Sequence, residues 1–137
     1  MYTTAAQVRS LANWSAAVTD AMLSQHLAGA ARELAGRLGG VNYAGLAELP
    51  PDHERVAAAA EIEACLTIAF AIPALNLFAA ADGPVIPKAV EAAEFLFLEP
   101  EQAAKQSAIW RERAEARLHG TPWSDEDDPD DPRWYAV

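Results

Sequence analysis

The chain has 137 residues and a mass of 14.7 kDa, with 20 acidic residues against 10 Lys/Arg and a net charge of −10. That length suits one domain with a modest core and excludes two packed catalytic domains. The charge argues against nucleic acid phosphates and anionic membranes as partners, because both need clustered Lys/Arg. The imbalance is uneven: residues 1–119 hold 14 acids and 9 bases and residues 120–137 hold 6 acids and 1 base, so each part contributes −5.

Alanine occupies 32 of the 137 positions. Alanine is the best helix former, and β-branched residues are few, so an all-α fold is expected. The expected form is a small bundle of four to five helices over residues 1–120, followed by a flexible acidic tail over 121–137. Cys65 has no second cysteine to pair with, so the fold does not depend on an oxidising compartment. The segment Met1–Gln7 has no basic stretch leading into an apolar run. No secretory signal is read there, and cytoplasm is the default.

Thr4 with Gln7 fits a capping box and predicts a short helix from about Ala5 to Asn13 that buries Val8 and Leu11. Asn13-Trp14-Ser15 ends it. A second helix is predicted over 20–38, capped by Thr19 or Asp20. Its apolar stripe is Leu23, Leu27, Ala31, Leu34 and Leu38, and Gly39-Gly40 stops it. Residues 41–51 read as a loop that Tyr43, Leu46 and Leu49 pin to the core.

Asp52 is the expected cap of a third helix running from His53 toward Phe78. Its first half carries Glu54, Arg55, Glu61 and Glu63, and its second half is apolar almost all round. In a small domain, that predicts burial shared with neighbouring subunits. Pro73 removes the N–H that would serve the Ala69 carbonyl and predicts a bend. Residues 64–81 form 18 positions without a charge, close to the length of a membrane span. The alanine content, Thr67, Asn76, Pro73 and the acidic flanks Glu61, Glu63 and Asp82 favour a buried helix instead.

Asp82-Gly83-Pro84 signals a turn, and residues 87–94 look helical. Phe95-Leu96-Phe97-Leu98 either extends that helix or lies as an apolar arm on a neighbour. The last helix starts with Pro100 at the favoured first position and runs to about His119. Trp110, Ala114 and Leu118 form its stripe, Arg111, Arg113 and Arg117 sit in its last turns, and Gly120 and Pro122 end it.

No catalytic, cofactor-binding or metal-binding residue is nominated. His26, His53 and His119 fall on separate segments without metal-ligand spacing. Cys65 lies in an apolar run and reads as an inert thiol. Glu61 and Glu63, two apart, do not share a helix face, and Glu91 with Glu94 reads as a solvated face. The Asp run misses the calcium-loop pattern, with Pro129 inside it. An enzyme is not expected.

The tail carries Asp125, Asp127, Asp128, Asp130 and Asp131 between Trp123 on one side and Trp134-Tyr135 on the other. One reading is a solvated, solubilising tail. The other, which the aromatics favour, is a segment that folds on a partner, with Trp and Tyr in pockets and carboxylates on a basic surface.

The order of these parts resembles that of small tailed-phage head–tail connector (adaptor, or head-completion) proteins. The opening Tyr2-Thr3-Thr4-Ala5-Ala6-Gln7-Val8-Arg9 is similar to their short capped first helix. Leu27 to Gly40 looks like their second helix with its Gly-containing end. Pro50-Pro51-Asp52 leads into a long apolar helix over 56–78, and the helix from Ala103 to Leu118 closes at Gly120. The resemblance covers most of residues 2–120, and residues 85–98 have no counterpart in it.

The resemblance implies a non-enzymatic virion part at the head–tail interface, made in the host cytoplasm. It would form a ring, commonly of twelve copies, that docks under the portal protein, meets a tail-completion protein and extends the DNA channel. DNA would be passing cargo only, and no cofactor or membrane is implied. Carried over by position, Trp123, Asp125 to Asp131, Trp134 and Tyr135 would face the portal. The surplus apolar surface puts the expected subunit interface on Leu66, Phe70, Leu77 and Phe78 against Phe95 and Phe97. The alternative is a small acidic helical regulatory or inhibitory protein that mimics DNA.

Overall fold

The computed structural model describes residues 1–75 and 100–123. Among them it has five α-helices, one turn of 3-10 helix and no strand, as the all-α expectation requires. The helices are α1 (Ala5–Ala12), α2 (Asp20–Leu38), α3 (Gly40–Gly45), α4 (Glu54–Leu75) and α5 (Pro100–His119), with the 3-10 turn at Leu46–Glu48.

Local chemistry sets the first helix boundaries. The Thr4 hydroxyl accepts from the Gln7 N–H at 3.2 Å, and the Gln7 side chain accepts from the Thr4 N–H at 3.0 Å. Asn13 ends α1 at φ 59°, a left-handed conformation that Asn tolerates better than most residues. Thr19, rather than Asp20, caps α2, and the Met22 sulfur takes the place usually held by a Glu carboxylate in the box. Arg9 then joins α1 to the start of α2, donating to the Val18 carbonyl at 3.1 Å and to Asp20 at 2.6 Å.

The buried stripe of α2 is Leu23, Leu27, Ala30, Leu34 and Leu38. Ala30 is buried in place of the expected Ala31, on the opposite flank of the same leucine stripe, and the neighbours packed on α2 decide between the two. Gly39 lies at φ 82°, which only glycine adopts freely, and it turns the chain straight into α3. The expected loop over 41–51 therefore contains α3 and the 3-10 turn. Leu46 is buried there, and Tyr43 and Leu49 pack against the core as expected.

One expectation about α4 changes. His53, not Asp52, caps it: its Nδ1 accepts from the Arg55 N–H at 3.1 Å, while its carbonyl accepts from the Ala57 N–H. The helix runs through Pro73, and Leu75 is its last described residue. The carbonyl that Pro73 deprives of a donor, Ala69 O, accepts instead from the Ser107 hydroxyl of α5 at 2.7 Å. A side chain of another helix thus repairs the defect.

α4 is the spine. α5 packs antiparallel along it, since Ser107 meets Ala69 and Arg117 meets Glu61. α2 packs on it as well, and the core includes Leu23, Leu34, Ile62, Ile68, Ile72 and Trp110. By length and composition α4 is apolar enough to cross a membrane, with a mean hydropathy of 1.7, but 67% of that window is buried inside the bundle.

The body extends to Trp123 rather than stopping at residue 120. Thr121 is buried and donates its hydroxyl to the Arg117 carbonyl at 2.8 Å. The Trp123 indole N–H donates to the Leu118 carbonyl at 2.9 Å. These bonds satisfy carbonyls that the end of α5 leaves open. Gly120 packs closely, since a Cβ there would lie 3.1 Å from the Ala116 carbonyl oxygen and would push it by a few tenths of an ångström.

Candidate functional site

The neighbours of α4 leave an open cleft along it. On one side the segment before α1 is held by Glu63, and on the other α5 is held through Glu61. The cleft between these walls has a volume of about 600 Å³. Its floor is Ala60 and Ala64, small residues that keep it open. One wall comes from the α1 region, with Gln7, Ser10, Leu11 and Asn13, and the facing wall carries Arg113.

The first wall rests on a buried carboxylate. Glu63 is 0% exposed. It accepts from the backbone N–H groups of Tyr2 and of Thr3 (3.1 Å) through one oxygen and from the Tyr43 hydroxyl at 2.8 Å through the other. Tyr2 in turn donates its hydroxyl to the Tyr43 carbonyl at 3.2 Å, and the two rings meet edge to face at 5.4 Å. One side chain therefore ties the N-terminal segment, α3 and α4 together. Burial, followed by the Glu63 carboxylate, pushes both phenols above their ordinary titration range.

The second wall is built from exposed charge. Glu61 takes Arg117 at 3.0 Å and Arg113 at 3.9 Å. Arg113 also lies over the ring of Trp110, 5.2 Å from its centroid. Trp110 is fully buried, and its indole N–H has no hydrogen-bond partner among the described residues. The remaining pairs of α5 reach α2: Arg111 with Glu33 at 3.0 Å, and Arg37 with Glu115. The Arg37 hydrogen bond holds the Glu115 carboxyl below the usual range, and His119 stands 3.3 Å from the same carboxylate. The arginines that suit the helix dipole thus also serve as cross-helix anchors.

The residues expected at a subunit interface divide. Leu66 is 3% exposed and packs inside the protomer, so its interface assignment is corrected: α2 and α5 already cover that face of α4. Phe70 is half-buried. It lies beside Gly29 of α2 and beneath the Arg111 guanidinium, 5.4 Å from the ring centroid. Leu77, Phe78, Phe95 and Phe97 lie outside the described residues. Of the expected partner-binding tail, Trp123 is packed on the body, while Asp125, Asp127, Asp128, Asp130, Asp131, Trp134 and Tyr135 also lie outside the described residues.

Among the described residues, no three His, Cys, Asp or Glu side chains group to hold a metal ion. Cys65 is buried, and burial pushes its thiol up to about 12, so it is protonated and poorly nucleophilic at neutral pH. The cleft offers an alanine floor, amide and hydroxyl groups on one wall and, on the other, the Arg113 guanidinium beside the Glu61 carboxylate. Sequence reasoning missed Glu63. Its signal was a carboxylate embedded between Ile62 and the apolar run from Ala64. No family model, no curated protein and no solved structure matches the chain.

Proposed function

We propose that the chain is a structural subunit of a tailed-phage head–tail connector, which assembles as a ring beneath the portal and lengthens the DNA channel. The observation that carries the reading is the order of parts. A capped short helix, a second helix ended by Gly39, a proline-bearing linker, a long apolar helix and a last helix closing at Gly120 follow one another as in the family it resembles.

The electrostatics support it. Arg111, Arg113 and Arg117 are engaged by Glu33 and Glu61, so they do not form a separate cationic stripe for gripping phosphates. An acidic lumen lets DNA slide without sticking. In this reading the ring contact uses Phe70 with Leu77, Phe78, Phe95 and Phe97, and the acidic aromatic tail meets the portal. The DNA-mimic alternative is weaker. A mimic needs ordered rows of carboxylates, and here Asp20, Glu33, Glu61 and Glu115 are each held in ion pairs.

Native mass spectrometry and electron microscopy of the full chain, alone and mixed with a tailed-phage portal protein, test the reading. Rings alone, or a portal-bound ring, are the expected outcome. A monomer at high concentration that also ignores the portal defeats it.

A further inference from the structure

We propose that His53 is a proton-operated catch: its neutral imidazole closes the start of α4, and protonation opens that turn and loosens residues 121–123, which are fastened to it. This concerns the folded chain alone and does not depend on the connector reading.

The catch is made of short-range bonds. The Pro50 carbonyl accepts from the His53 N–H at 2.9 Å across a turn that contains Pro51, so the backbone of His53 is set before the helix begins. The His53 Nδ1 then accepts from the Arg55 N–H at 3.1 Å. A helix start leaves such N–H groups open, and Ser, Thr, Asn or Asp commonly closes them. Those caps keep their protonation state near neutral pH, whereas an imidazole changes it between about pH 5 and pH 8. Because Nδ1 accepts, the neutral ring carries its proton on Nε2. A proton taken from water onto Nδ1 turns the acceptor into a second donor, and the bond to the Arg55 N–H breaks.

A charged ring is also repelled at this place. It stands at the positive end of the α4 dipole and next to the basic residue Arg55. Asp52 and Glu54 flank it in the chain and are both exposed, so a protonated ring turns toward them and away from the backbone. Glu48 of the preceding 3-10 turn is exposed as well. At the end of α5, Arg117 is paired with Glu61, and His119 stands against Glu115.

The same turn holds the chain as it leaves α5. Arg55, whose N–H is capped, donates its Nε–H to the Pro122 carbonyl at 2.8 Å. On either side of Pro122, Thr121 and Trp123 are bonded to the Arg117 and Leu118 carbonyls. When the first turn of α4 frays, Arg55 loses its fixed position and the Pro122 carbonyl loses its donor. The cap is complete while the ring is neutral and is lost as pH falls through the imidazole range.

The test is NMR of the full chain from about pH 8 down to about pH 5.5. It follows the carbon-bound ring protons of His53, the protection of the Arg55 amide relative to its intrinsic exchange rate, and the Arg55 Nε–H signal. Arg55 amide protection should fall about fivefold, the worth of a typical cap, in step with the ring, and the Nε–H signal should lose its hydrogen-bonded shift in the same step. His53→Asn keeps a cap that does not titrate, so its Arg55 amide should stay protected throughout. Any change owed to His26 and His119 is common to both chains. His53→Ala should show the open turn at both ends of the range. Protection that stays constant while the His53 ring titrates, or that falls equally in His53→Asn, overturns the proposal. An Arg55 Nε–H signal that holds steady through the titration overturns the loosening of residues 121–123.

Discussion

Glu61 and Glu63 stand two residues apart on α4 and hold different neighbours by different physics. Glu61 is half-exposed and shared by two arginines of α5. Glu63 is sealed from water and holds two backbone N–H groups and a phenol. In water a carboxylate has good alternatives, so losing an exposed ion pair matters little. In a sealed site the donors left behind find no other acceptor, so losing the buried carboxylate matters much more. The same residue type is thus a minor anchor on one side of the helix and a main fastening on the other.

The sharpest way to break that comparison is Glu63→Ala, which should cost about 3 kcal/mol, because one buried and two half-buried donors lose their acceptor at once. Glu63→Gln keeps one carbonyl oxygen for the backbone N–H groups and should fall between. Denaturant unfolding measures both, and a loss below about 1 kcal/mol for Glu63→Ala would contradict the account.

Next comes Ser107→Ala, which strands the Ala69 carbonyl and should cost about 1.5 kcal/mol. In a Pro73→Ala background residue 73 regains an N–H for that carbonyl, so the Ser107 substitution should cost clearly less. Equal costs in the two backgrounds would mean that Ser107 does not repair the proline defect.

Tyr43→Phe should cost about 1 kcal/mol at neutral pH and should also change the alkaline limb. The folded Tyr43 keeps its proton beyond about pH 10, where an unfolded tyrosine gives it up. Folding stability from this group is therefore full below about pH 10 and is lost as pH rises above it. Melting curves of Tyr43→Phe should show a flatter decline there, and an unchanged limb would assign the effect elsewhere.

The smallest effects belong to the exposed pairs. Glu61→Ala should cost under about 1 kcal/mol and less still in high salt. Glu115 is held below the usual carboxylate range by Arg37. Its few tenths of a kcal/mol are present above about pH 4.3 and vanish as pH falls through its lowered folded-state value. Arg37→Ala should remove that acid-side slope, which melting between pH 3 and 5 would reveal.

Short-range chemistry made much of the fold legible. The Thr4–Gln7 box, the Leu23 to Leu38 stripe and the Gly39 stop all act within a few residues, so the chain's order displays them. The cleft was not legible, because its walls come from segments about 50 residues apart or more. Glu63 and Tyr2 are 61 residues apart, and no local period links them. Trp123 read as a tail residue because its partner is a carbonyl at the end of α5, and every residue has a carbonyl.

By itself the sequence determined the helical class, the boundaries set by caps and glycines, and the separate acidic character of the C-terminal end, since each follows from local propensity or composition. Only the tertiary structure decided the value of each polar residue. It sealed Glu63, left Glu61 in water, and brought Ser107 to the carbonyl that Pro73 had left without a donor. The reason is that burial and partnership are properties of packed neighbours, and these two conditions set whether a polar group stabilises or destabilises a fold.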